Sequence, residues 1–177
     1  MSSKEIARSM LEEIYASVPT DVFKVQCLEL IHPAFSAENM PPGRIRLVNN
    51  RLDSLAAGLE NGDQATFQAG AFAIKFPGKS TDGRRDIRLV MDTLSTDGVK
   101  QLENVARHTG RQRIMAVVRE YAENHLDYPG KIDDRLTVIN PVVSGTQIQC
   151  SLVFNDTINK AIPSILYTLE SHPGLVV

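Results

Sequence analysis

His32, His108, His125 and His172 are the histidines of this chain, and none has a second histidine, cysteine or carboxylate at the short spacing that converges ligands on a metal. His32 and His172 each precede a proline, so the four read as ordinary surface or turn histidines. Residues 127–134 carry Asp127, Asp133 and Asp134, but without the alternating oxygen ligands and closing glutamate of a calcium loop they read as a solvated turn. Ser80, Ser95, Ser144 and Ser151 lack nucleophile-elbow surroundings, and neither Cys27 nor Cys150 has a histidine partner in a known pattern. Lys79-Ser80 follows Gly78 without the four-residue spacer and second glycine of a phosphate loop. The expectation is therefore a chain with no catalytic, cofactor-binding or metal residues to assign.

Charge and composition narrow the classes further. The chain has 177 residues, 42% hydrophobic and 23% charged, with 19 Lys and Arg against 21 Asp and Glu. That is enough to bury one sizeable core, and a net charge of -2 is not the basic balance of a nucleic-acid surface, so sequence-specific nucleic-acid binding is not expected. Arg84, Arg85, Arg111 and Arg113 form small basic groups. Arg107 and His108 fall at the end of a helical pattern, where the dipole favours cations; a charged contact between subunits is the other reading. Cys27 and Cys150 each lie in an apolar run and read as buried hydrophobes in a reducing cytoplasm. The first residues lack the apolar core of a signal peptide, and no apolar run approaches the roughly 20 residues of a membrane span, so a soluble, cytoplasmically made protein is expected.

The elements that would carry these residues are mostly strands. Ile6, Met10, Leu11 and Ile14 recur at spacings of three and four between Ser3, placed as an N-cap, and Pro19, which predicts an amphipathic helix over 1–19. Residues 22–31 predict a strand whose apolar side switches near Cys27, by a bulge or by burial on both faces. Residues 44–48 predict a second strand, 49–66 a surface loop with a helical turn around 52–59, 67–76 a third strand, 78–83 a hairpin loop and 85–94 a fourth strand pairing with the third. Ser95 or Asp97 can cap a helix over 98–108 whose apolar face is Val99, Leu102, Val105 and Ala106. Strands follow over 111–122, over 135–143 with a break at Asn140-Pro141, and over 146–154, where Ile148, Cys150, Leu152 and Phe154 alternate with polar residues. This pattern predicts a mainly β fold, a two-sheet β-sandwich or open barrel with one covering α-helix, spanning 20–158. The remainder, 159–177, is apolar and proline-punctuated. Its Ile165, Leu166, Tyr167, Leu175, Val176 and Val177 are candidates for packing on a partner as much as on the chain itself; the stripe Ile6, Met10, Leu11 and Ile14 is expected to dock on its own domain first, with a neighbouring subunit as the alternative.

Several short motifs, in this order, carry a resemblance: LELIHPAF at 28–35, IRLVN at 45–49, FQAGAFAI at 67–74, IRLVMD at 87–92, VREY at 118–121, CSLVFND at 150–156 and AIP at 161–163. Together they resemble a siphophage tail-module family of uncharacterised function, encoded near the tape measure, a cell-wall cysteine peptidase and the central fibre. The resemblance implies a virion tail protein made in the host cytoplasm: a tail-tip or baseplate subunit analogous in position to distal tail or lambda-like minor tail proteins. It implies a fold similar to the tail tube, a hexameric or trimeric ring, and neighbours among tube, hub, fibre and tape measure. It supplies no catalytic residue. The competing classes are a receptor- or glycan-binding sandwich, which would expose several aromatics on one rim, and a cell-wall hydrolase accessory, which would need a convergent acid-base pair.

Overall fold

The computed structural model describes residues 2–16, 23–76, 87–92, 98–110 and 112–154. In chain order its elements are α1 (Ser3–Ala16), β1 (Lys24–Ile31), β2 (Arg44–Val48), β3 (Leu55–Gly58), β4 (Gln64–Ala69), β5 (Phe72–Lys75), β6 (Ile87–Asp92), α2 (Gly98–Arg107), β7 (Met115–Ala122), β8 (Lys131–Ser144) and β9 (Gln147–Phe154). The chain is mainly β, with an N-terminal helix and one covering helix, as the patterning predicts. Among the described residues the strands form one nine-stranded sheet in the order β3-β4-β2-β1-β7-β8-β9-β6-β5, rather than two separate sheets.

This sheet curls. Gly70 N–H donates to the carbonyl of Val48 in β2, and the carbonyl of the next residue, Ala71, accepts from Asp92 N–H in β6. Across a flat sheet β2 and β6 would lie five strand spacings apart, roughly 24 Å at the usual separation. One peptide link spans only about 3.8 Å, so the intervening strands must bend round. The ends meet through the chain at Gly70-Ala71 instead of through a ladder, and the barrel stays open. The run 67–76, predicted as one strand, is thus two: β4 pairs parallel with β2 (Leu47↔Gln68, Val48↔Ala69) and β5 antiparallel with β6. Gly70, with no side chain to pack, marks the break.

β1 shows why the apolar pattern switched sides. It pairs with β7 without a register shift from Lys24↔Ala122 to Ile31↔Met115, so there is no bulge and the strand is buried on both faces. Leu28 and Leu30 face the main core with Ile45, Leu47, Leu89, Val118, Leu136 and Leu152. Val25 and Cys27 face a second core with Val48, Leu55, Ala57, Phe67 and Tyr121. That second core exists because 55–58 is a strand. Leu55, Ala57 and Leu59 alternate inward, and β3 pairs antiparallel with β4, where a helical turn was expected. The small side chains of Ala56, Ala57 and Gly58 hide a period of two.

α2 buries Gly98 and Gln101, with Leu102 and Val105 packed on the main core. Val99 and Ala106, predicted on its apolar face, are exposed. Asn140-Pro141 interrupts β8 as a register shift between Ile139 and Val142, not as an end. α1 is capped by Ser2, not Ser3: the Ser2 carbonyl accepts from the Glu5 and Ile6 amides, while Glu5 Oε2 accepts from Ser2 N–H at 3.0 Å. The caps Ser95 and Asp97, the loop 78–83 and the segment 159–177 lie outside the described residues.

Candidate functional site

Among the described residues, charged side chains within apolar strands converge in two places, and the first is buried. Glu29 on β1 and Arg119 on β7 share the second-core face with Cys27, and both are almost fully buried, at 1% and 3% exposure. Glu29 Oε1 accepts from Arg44 Nη1 at 2.7 Å and from Arg46 Nε at 2.8 Å, and Oε2 accepts from Arg119 Nη1 at 2.8 Å. Arg119 turns the other edge of its guanidinium to Glu60 in the β3–β4 turn, Nε to Oε2 at 2.8 Å and Nη2 to Oε1 at 2.9 Å. This fork ties the hairpin to the sheet. Burial alone would raise the Glu29 carboxyl, but the three guanidiniums overcome it and hold the group at about 2. Glu60 is likewise lowered by its bonds to Arg119. With every carboxylate oxygen engaged, the cluster is a lock and offers no open position to a ligand.

The second convergence lies where α1 meets the sheet. Glu120, 1% exposed, accepts the Tyr15 hydroxyl proton from α1, Gln26 Nε2 at 2.9 Å and Lys24 Nζ at 3.3 Å. Lys24 also donates to the Tyr15 oxygen at 3.2 Å and sits 5.1 Å from its ring centre. Burial and the Glu120 charge push the Tyr15 hydroxyl up to about 12. Lys131 is close enough to influence both groups, and its ammonium lies 4.7 Å from the centre of Phe76. Exposed Tyr15 and Phe76 thus flank Lys24 and Lys131 on one part of the surface.

His32 and His108, read from sequence as unrelated, meet edge to face with ring centres 5.3 Å apart. His32 sits at a turn, as one of its two readings has it, but is buried rather than at the surface. Its loop is closed by Gly43 at φ +76°, whose carbonyl accepts from His32 N–H and whose amide donates to the Phe35 carbonyl. Each imidazole accepts a backbone amide at Nδ1, from Ala34 and from Gly110, both at 3.1 Å. The neutral rings therefore carry their protons on Nε2, the opposite tautomer from the one that ligates a metal through Nε2. His32 is held below its usual value by burial and by His108, against an opposing influence from the Gln112 backbone.

Among the described residues no group of three or more His, Cys, Asp and Glu is placed to hold a metal. An apolar cavity of about 30 Å³ lies between α2 and the sheet, lined by Leu30, Phe35, Leu47, Leu102 and Ile114 with the buried Gln101. It has room for about one water molecule, against several hundred cubic ångströms for a substrate pocket.

Of the candidate partner-facing residues, Leu11 is buried within the chain, and Ile6, Met10 and Ile14 are half-buried beside it. Ile165, Leu166, Tyr167, Leu175, Val176 and Val177 lie outside the described residues. Cys27 and Cys150 are free buried thiols as expected, and desolvation pushes each up to about 12. Neither is expected to react with a thiol reagent at pH 8 in the folded protein, and both should react once it is denatured, which a colorimetric thiol titration reads directly.

The sequence reading passed over Glu29, Arg119 and Glu120. A signal was present: each is a charge in a strand whose neighbours are apolar on both faces, where a charge persists only if it is paired.

Acid should destabilise the fold in two stages. His32 has a lowered value, so the unfolded chain takes up its proton first and stability begins to fall below about pH 6.5. Glu29, Glu60 and Glu120 are all lowered from 4.5. Their contribution is therefore complete above that value and is lost as pH falls through it, for Glu29 down to about 2. Urea midpoints measured from pH 7 to pH 3 should decline throughout; a flat profile would contradict the two ion clusters.

A comparison with curated proteins finds no match. A family model described as a domain of unknown function, DUF1833, matches residues 9–167, from within α1 to beyond the end of β9. With most of its length covered, the chain belongs to the DUF1833 family.

Proposed function

We propose that this protein is a structural subunit of a bacteriophage tail tip or baseplate, forming a hexameric or trimeric ring between tail tube and central fibre and contacting neighbouring tail proteins. The motif order that resembles a siphophage tail module supports the reading, and the observation that carries it is how the surface and the buried charges are used. Glu29, Arg119 and Glu60 are consumed in locking the sheet, while Phe23, Leu52, Val142, Val143 and Phe154 stay exposed around it at 70%, 98%, 58%, 45% and 47%. Side chains of this kind gain from burial against a neighbour, at about 25 cal/mol per Å² of apolar surface covered. Identical copies meeting head to tail would close such contacts into a ring.

Mass spectrometry of purified virions tests this, together with images of the tail end. The expected result is the polypeptide at three or six copies per particle, at the tip. Its absence from the virion overturns the proposal.

A second reading, a receptor- or glycan-binding face, is favoured by one specific observation: Tyr15 and Phe76 exposed beside Lys24 and Lys131. Under that reading Phe76→Ala should reduce adsorption to host cells while leaving assembled particles intact. Unchanged adsorption removes it.

A further inference from the structure

α1 is joined to the sheet in an unusual way for a helix that covers one of its ends. Neither core cluster includes any of its residues. Only Ala7 and Leu11 of its 14 residues are fully buried, and no basic residue supports its last turn. A helix of this length is marginal by itself, so what docks it also keeps it folded.

Among the described residues, three contacts do the docking. The first is a glycine seat: a Cβ on Gly130 would lie 2.5 Å from the Ala7 carbonyl oxygen and 2.5 Å from Leu11 Cδ1. The second is Tyr15, whose hydroxyl donates to Glu120 and whose oxygen and ring also hold Lys24 Nζ, at 3.2 Å from the oxygen and 5.1 Å from the ring centre. The third is weaker, His125 Nε2 at 3.4 Å from the Ser3 carbonyl.

Removing the helix would break all three and leave little unsatisfied behind. Glu120 would keep Gln26 Nε2 and Lys24 Nζ, both from β1 and both on Oε1, so only Oε2 gives up its Tyr15 partner, and the departing helix uncovers it to water. Gly130 N–H stays bonded to the Glu120 carbonyl. Both apolar cores remain whole.

We propose that α1 is a detachable strap, docked on Gly130 and Glu120 in the isolated chain and able to leave the sheet as a unit without unfolding it. On the tail-subunit reading, and resting on it, release is the step that frees Leu11 to join Ile6, Met10 and Ile14 as one apolar stripe for a neighbouring subunit. The strap itself is a property of the free chain and can be tested there.

Hydrogen exchange on the full-length protein reads it. Amides of α1 should exchange at least about a hundredfold faster than those of β1 and β7, because local release needs less free energy than global unfolding. Gly130→Ala is the sharper test. Gly130 is not in the left-handed region, so alanine adds no backbone strain there and acts on the helix alone, and the Ala7 carbonyl is backbone and cannot swing aside. The variant should raise α1 exchange by a further factor of about ten or more and leave β1 and β7 protection unchanged. Tyr15→Phe should act in the same direction, and it remains informative if Gly130→Ala folds poorly. The proposal is overturned if α1 exchanges at the rate of β1 and β7, or if either variant lowers protection of the sheet together with that of the helix. Absence of the protein from virions would remove the tail reading and leave the strap standing.

Discussion

Replacing Glu29 with glutamine is expected to cost about 3–5 kcal/mol of folding stability, more than replacing Arg119 with methionine, although the two residues are partners in one ion pair. The difference follows from what each substitution leaves behind. The cluster holds three guanidiniums and two carboxylates. Without the Glu29 charge, Arg44, Arg46 and Arg119 face one another with only Glu60 to balance them, and Arg46 and Arg119 are 12% and 3% exposed. Without Arg119, Glu29 still receives Arg44 and Arg46 on Oε1, and Glu60, 42% exposed, can return to water. Methionine fills most of the vacated volume, so its cost should be about 1–3 kcal/mol, largely for the lost hydrogen bonds. Urea denaturation of both variants at pH 7 measures the order. Glu29→Gln should also flatten the decline of stability below pH 4.5, because the carboxyl that carries the largest lowering is gone. An Arg119 variant less stable than the Glu29 variant would mean that the carboxylate is not the centre of the cluster.

The parts of this architecture that were legible in sequence are those with an undisturbed local period. β9 alternates Ile148, Cys150 and Leu152 inward, and both the α1 stripe and the β5–β6 pairing follow from neighbouring residues. What was hidden depends on distance along the chain. The second core demands that β1 be apolar on both faces, one of the two readings its pattern allows, and only the pairing with β7 excludes the other, a bulge. β3 is composed of small residues, and only its partner Phe67 and the face of Cys27 reveal it as a strand. The split between β4 and β5 is set by the curl of the whole sheet, to which Gly70 contributes a break but no direction. His32 and His108 are 76 positions apart, and no spacing rule brings their rings together. The charges at Glu29, Arg119 and Glu120 were visible as charges in apolar strands, while their partners Glu60, Arg44 and Tyr15 come from other elements that only the folded chain aligns.

Gly58→Ala is the second substitution with a large expected cost, about 3 kcal/mol or more, because the added methyl meets backbone that cannot yield. Its Cβ would fall 2.7 Å from the Asp127 carbonyl carbon, closer still to the oxygen. The crowded contact cannot open locally, since it is pinned on both sides: Gly58 N–H donates to the Leu126 carbonyl at 2.8 Å, and the Gly58 carbonyl accepts the Tyr121 hydroxyl at 2.8 Å. Relief requires moving β3 away from the 126–127 turn, which lengthens both bonds and loosens Leu55, Ala57 and Leu59 in the second core. Tyr121→Phe isolates one of these terms and should cost about 1–2 kcal/mol, the loss of a hydrogen bond to a buried carbonyl. Because alanine at 58 already displaces that carbonyl, the double variant should be less destabilised than the sum of the two, a coupling that a double-mutant cycle detects. Gly62 provides the control within the same hairpin: a Cβ there meets nothing within 4 Å, and its φ of +87° leaves only backbone strain. Its alanine variant should therefore lose only about 1–2 kcal/mol. Equal losses at the two glycines would show that the packing of β3 against the 126–127 turn is not what holds the hairpin in place.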